Sequence, residues 1–230
     1  MSHFWDICRN LCHMALAYVD FGFDSAPQTS SLTLRIADYD ATGAPTAADM
    51  SRVSAPLSSV LTQELDGSRQ TLGLDIEVFL IAALGRALER TFGAGMTLVD
   101  VSMAHRPAAL RQLALDCVPA GEVDATGMLR AVNRTYIDAR SSAPTWQSAD
   151  VLISCVAVAV RDAHPAMGHA LELHAYRQDG VLQLDWWYDN RRFDPYTIEE
   201  LSEQFPLGLI ELCSEALPEA VLPGPVGVVG

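Results

Sequence analysis

The side chains here that could do chemistry are a few histidines, an arginine beside one of them, and a tryptophan pair. His105-Arg106 follows the stretch 96–104, which reads as a strand. An imidazole at such a strand end could act as a general base, and a guanidinium there could hold a phosphate group bidentately. His174 is the other candidate base. It opens the stretch His174-Ala175-Tyr176-Arg177-Gln178-Asp179-Gly180, a histidine followed at fixed spacing by Asp-Gly. His169 lies five residues before it. On one strand that spacing would turn the two rings to opposite faces and make a poor metal pair. Trp186-Trp187-Tyr188 belongs in a strand, so one tryptophan must face away from the core and is a candidate partner contact. Arg191-Arg192 is the only basic doublet and could meet an acidic partner. Asp100 and Asp116 could position Arg106.

Several chemistries are excluded or lack a motif. All 15 basic residues are arginine, so no lysine Schiff base and no P-loop lysine exists. There is no Gly-x-Ser-x-Gly, no glycine-rich phosphate loop and no zinc spacing. Cys8 and Cys12 stand one helical turn apart beside His13, without further ligands near them, and no metal site is expected. The five cysteines form no Cys-x-x-Cys pair and read as reduced, mostly buried thiols of a cytoplasmic protein. Twenty-nine acidic residues give a net charge of −14, which argues against nucleic acid and anionic membranes as partners. No run of 18 apolar residues suggests a transmembrane helix, and the start lacks the basic region of a signal peptide.

These candidates need elements to position them. In 230 residues, half of them hydrophobic, one sizeable core is expected. Helices are predicted over 4–19, from Thr46 (a Thr-Ala-Ala-Asp capping box), over 57–65 with an end at Asp66-Gly67, over 74–92 with Gly93 as C-cap, over 124–139, and over 197–217 with a kink or break at Pro206. Strands are predicted over 31–37, 96–104, 113–118, 151–160, 170–176 and 181–188. The nearly all-apolar run over 151–160 is expected to be a central strand buried on both faces. The last two strands are joined by Asp179-Gly180, a strong hairpin signal. The tail from Pro218 reads as a linker-like or disordered end, leaving residues 1–217 as one domain. The expected class is α/β, a mixed-sheet two-layer sandwich.

The segment Gly180-Val-Leu-Gln-Leu-Asp-Trp-Trp-Tyr-Asp-Asn-Arg-Arg-Phe-Asp-Pro-Tyr-Thr-Ile-Glu-Glu-Leu-Ser-Glu-Gln-Phe205 resembles the close of condensation and epimerization domains of nonribosomal peptide synthetases. Ile210-Glu-Leu-Cys-Ser214 fits the helix that ends them near a cysteine. The stretch 74–90 is similar to the helix that begins their C-terminal lobe, Phe4-Trp5 to the opening of the inter-lobe segment, and 115–139 to the strand and helix after their Gly-His-Gly-Arg stretch. The resemblance implies a single, chloramphenicol-acetyltransferase-like C-terminal lobe. It implies no directly bound cofactor, with the phosphopantetheine arm of a carrier protein as the group to be met and Arg106 as the candidate contact for its phosphate.

The departures bear on function. The family's His-His-x-x-x-Asp-Gly motif, whose second histidine is the general base, belongs to the other lobe and is absent here. The run from His174 imitates it with Ala175 in the base's place, and sits in the wrong lobe. Where epimerization domains carry a proton-transferring glutamate, this chain has Ser102. Three functions follow. One is a partial domain acting with a carrier protein or an N-terminal-lobe partner and not catalytic alone. Another is a self-sufficient small acyltransferase with active sites between subunits of a homo-oligomer, which would need His105, His169 or His174. The last is a non-catalytic recruiting or structural module.

Overall fold

The computed structural model describes residues 33–102, 110–141, 149–156 and 168–218. Six strands form one mixed sheet: β1 (Met50–Ser54), β2 (Gly95–Ser102), β3 (Leu110–Cys117), β4 (Val151–Val156), β5 (Leu171–Gln178) and β6 (Val181–Asp189). Their order across the sheet is β1-β6-β5-β4-β2-β3. β4 runs parallel to both neighbours, β2 and β5, and the remaining pairs are antiparallel. Four helices complete the described fold: α1 (Ser59–Leu72), α2 (Ile76–Phe92), α3 (Ala125–Ser141) and α4 (Pro195–Glu215).

Side-chain alternation decides which face the helices cover. Leu182, Leu184, Trp186 and Tyr188 of β6, with Leu171, Leu173 and Ala175 of β5, are buried on one face. Trp186 meets Phe205 of α4 edge-on, ring centroids 5.4 Å apart. Val99 and Val101, Leu113 and Leu115, and Ile153 continue this face. Beneath it, α2 is buried from Glu77 to Leu88 and forms the middle of the helical layer. Arg86 of α2 is fully buried. Its Nε donates to Glu211 Oε1 of α4 at 2.9 Å, and its other nitrogens donate to the carbonyls of Val118 and Val123.

The α/β class, the central β4 and the β5–β6 hairpin follow the expectation. Asp179 and Gly180 both take left-handed φ values, 52° and 81°, as a two-residue hairpin turn demands. Gly93 caps α2 through a bond from its N–H to Glu89 O.

Elsewhere the elements differ from the expectation. The Thr46 box does form: Thr46 N–H and Oγ1 donate to Asp49 Oδ2 at 2.8 and 2.7 Å. It closes a single turn, because Met50–Ser54 then pairs along β6 and becomes a strand. Asp66-Gly67 does not end α1. The helix continues to Leu72, whose side chain is buried, and stops at Gly73 with φ 65°. Pro206 does not break α4, which runs continuously while Phe205, Leu209 and Leu212 are anchored in the core. Among the described residues of the strand expected over 31–37, the one bridge is that of Thr33 to Met96, although Ile36 is buried. The helix expected over 4–19 and the tail beyond 218 lie outside the described residues.

Candidate functional site

The other face of the sheet carries the polar side chains. Ladder register places Ser54, Asp185, His174, Ser154, Ser102 and Leu110 in one row across the six strands. The adjacent row, on the same face, is Arg52, Trp187, Glu172, Leu152, Asp100 and Gln112. This face is polar because β5 reads Leu171-Glu-Leu-His-Ala-Tyr176: its leucines turn to the helices, and Glu172, His174 and Tyr176 turn away.

Glu172 is the centre of the arrangement. It is 0% exposed, yet two histidines reach it. His174 Nε2 lies 3.0 Å from Oε2, and His169 Nδ1 lies 3.8 Å from Oε1. His169 Nε2 in turn lies 2.9 Å from Asp100 Oδ2, and Gln112 Nε2 donates to Asp100 Oδ1 at 3.2 Å. The chain of contacts is therefore Gln112–Asp100–His169–Glu172–His174, crossing β3, β2 and β5. Burial pulls the His169 ring toward its neutral form, but the hydrogen bond to Asp100 and the nearby carboxylates of Glu172 and Asp100 outweigh it and hold its pKa above the usual histidine value.

A second carboxylate stands across the hairpin. Asp185 accepts from Ser54 Oγ at 2.5 Å and from Tyr176 Oη at 3.1 Å, with Arg52 Nη1 at 3.7 Å. The Arg52 guanidinium lies over the Trp187 ring, 5.2 Å from its centroid.

His169 and His174 do not point apart. His169 precedes β5, so strand alternation does not govern it, and it is buried rather than on the surface. Both rings converge on Glu172. Trp186 is not a partner contact: it is fully buried against Phe205. Trp187 is the outward tryptophan, half-buried. Arg191 and Arg192 are not a free basic doublet. Arg191 Nη2 and Nε bond the buried Asp189 at 2.7 and 2.9 Å, and Arg192 Nη1 bonds Asp150 at 2.7 Å. Burial alone would raise the Asp189 pKa, but the bonds from Arg191 lower it overall. His105 and Arg106 lie outside the described residues, as do Cys8 and Cys12.

Ser102, aligned with the proton-transferring glutamate of epimerization domains, is two strands from His174 in the same row. The Asp179-Gly180 part of the imitated motif is only the hairpin turn. Among the described residues no three His, Cys, Asp or Glu converge as a metal site, and no helix is long and apolar enough to cross a membrane. Burial raises the thiol pKa of Cys117 to about 12, and burial also pushes the Cys155 thiol up. Glu172, Asp185 and Tyr176 were missed in the sequence. The polar half of the alternation in β5 was their signal.

No family model matches this chain. It is 30% identical to part of a phenolphthiocerol/phthiocerol polyketide synthase of Mycobacterium tuberculosis, and equally to the counterpart in Mycobacterium bovis, over a 222-residue alignment. The alignment takes in 75% of this chain and 15% of that protein's length, so the relatives are far longer. Among solved structures, the epimerization domain from the third module of tyrocidine synthetase B superposes with a TM-score of 0.64 at 12% identity, covering 81% of this chain and 52% of that one. The EpoB cyclization-docking bidomain of a nonribosomal peptide synthetase from Sorangium cellulosum gives 0.60 at 13% identity, over 74% of this chain and 43% of the other. The condensation domain of the Monacolin K polyketide synthase MokA gives 0.60 at 11% identity, over 75% and 49%. Each match takes about half of the other chain. The fold of the described residues is the chloramphenicol-acetyltransferase-like fold found in part of the condensation and epimerization domains.

Proposed function

We propose that this chain is the C-terminal lobe of a condensation/epimerization-like domain, working on acyl groups delivered as carrier-protein thioesters in polyketide or nonribosomal peptide assembly. It acts in the cytoplasm with a carrier protein or a partner lobe, and not alone. One observation carries the reading: the fold superposes on only about half of each condensation- or epimerization-type chain it resembles, and the face free of the described helices is lined by a polar histidine–carboxylate row. A solvated sheet face needs no buried carboxylate, so the 0% exposed Glu172 met by two histidines fits a face that lines a cleft better than one that only meets water. The absence of the His-His motif from the sequence supports dependence on a partner.

The test is the mass in solution by light scattering after size exclusion. The chain is measured alone, then with carrier proteins and N-terminal lobes encoded beside it. A 24.9 kDa monomer that joins one of them is the expected result. No complex with any of them counts against the proposal. A homo-oligomer that transfers acyl groups alone would favour the self-sufficient acyltransferase, and the convergence of His169 and His174 on Glu172 is what keeps that alternative in view.

A further inference from the structure

We propose that His174, held by the fully buried carboxylate of Glu172, is this lobe's proton-transfer group for acyl transfer from a carrier-bound thioester to an amine or hydroxyl acceptor. The inference rests on the reading of the chain as a lobe that handles such thioesters, and assigns the residue that handles the proton.

The geometry is that of a base with an orienting carboxylate. Glu172 Oε2 binds Nε2 of His174 at 3.0 Å, which fixes the ring and, in the neutral imidazole, places the proton on Nε2. The lone pair is then on Nδ1, which has no hydrogen bond among the described residues. The His174 side chain is 21% exposed, while Glu172 is sealed behind it. A buried carboxylate persists only when paired and hydrogen-bonded. His169, clamped by Asp100, faces Oε1 at 3.8 Å, an ion-pair distance without a hydrogen bond, so the one hydrogen bond to this carboxylate among the described residues is that of His174 to Oε2. Asp185, opposite His174 in the β5–β6 ladder, is already engaged by Ser54 and Tyr176, so it does not compete for the imidazole.

The step balances without a further reactant. As the acceptor nitrogen or oxygen bonds to the thioester carbonyl carbon, Nδ1 takes its proton. The C–S bond then breaks, and the imidazolium returns the proton to the departing thiolate. The products are an amide or ester and a free thiol. Glu172 and His169 stay unchanged and act as positioning residues.

The experiment uses hexanoyl-N-acetylcysteamine, a truncated pantetheine thioester, with ethanolamine as acceptor. Thiol release is followed for the full chain, together with any carrier protein or lobe it binds. His174→Gln and the smaller His174→Asn should each lower kcat by about a hundredfold or more. Glu172→Gln, which keeps the volume, should lower kcat at least about tenfold with KM unchanged, as loss of an orienting carboxylate does and a general loosening of the fold does not. Wild-type turnover by both folded His174 variants, or no thiol release by the wild type, overturns the assignment. Variants that bind a carrier normally yet react as wild type sink the dyad and leave the lobe reading standing. Turnover by the chain alone, lost in the variants and without any complex, sinks the lobe reading and keeps the dyad.

Discussion

His169 sits 8% exposed between two carboxylates from two strands, Asp100 of β2 and Glu172 of β5, with His174 beyond Glu172. The two carboxylates outweigh the effect of burial and raise the ring's pKa above the usual histidine value. The consequence is a pH-dependent stability. The folded state holds the proton more tightly than the unfolded chain, whose ring titrates near about pH 6.5. The stabilisation is therefore complete below that value and is lost as pH rises through the higher value of the folded state. Urea titrations of the wild type should show an unfolding free energy that declines from about pH 6 toward pH 9, and His169→Gln should flatten that decline. An equal decline in the variant would assign the slope to other groups. Little of this residue-scale arrangement was legible beforehand. Residue type marked His174, but Glu172 was hidden because an acidic residue inside an apolar strand gives no local sign of its partners. Those partners, His169 and Asp100, are set by register between strands far apart in sequence.

At the scale of elements, periodicity was the readable signal, and it located α2, α3, β4 and the β5–β6 hairpin. It failed where tertiary pairing competes with local preference. The Thr46 cap forms its bonds, but β6 offers Met50–Ser54 a strand partner, and the ladder wins over one turn of helix. The layer of helices is tied by a device that no periodicity reveals. Arg86 of α2 is fully buried and joins Glu211 of α4 to the carbonyls of Val118 and Val123, which connect β3 to α3. Arg90 binds the other oxygen of Glu211 at 2.8 Å. Arg86→Ala would leave two carbonyls and half of a carboxylate buried without donors, and the expected loss is about 3–5 kcal/mol. Chemical denaturation reads it directly: a midpoint near that of the wild type would show that water or Arg90 replaces the guanidinium.

At the scale of the whole molecule, the two faces of the sheet divide the work, and neighbouring tryptophans report the division. Trp186 points into the helical layer, so Trp186→Ala removes a packed indole and should cost about 3–5 kcal/mol. Trp187 points to the polar face, stacked under Arg52 and next in its row to Glu172. Its ring is held in place and half-buried before any partner arrives, so little ordering entropy is lost when a partner packs on it. An aromatic ring beside arginine is also the composition of an interface hot spot. With a net charge of −14 the chain repels acidic surfaces at long range, so on the proposed reading any attraction to an acidic partner is local, and Arg52 is a cation on this face. Trp187→Ala should therefore leave the unfolding midpoint almost unchanged while weakening the complex with the partner lobe or carrier protein by about tenfold or more. Titration calorimetry beside a denaturation curve measures both quantities. A variant that loses stability as Trp186→Ala does would place Trp187 in the core, and a stable variant that binds as the wild type would move the docking surface off this face.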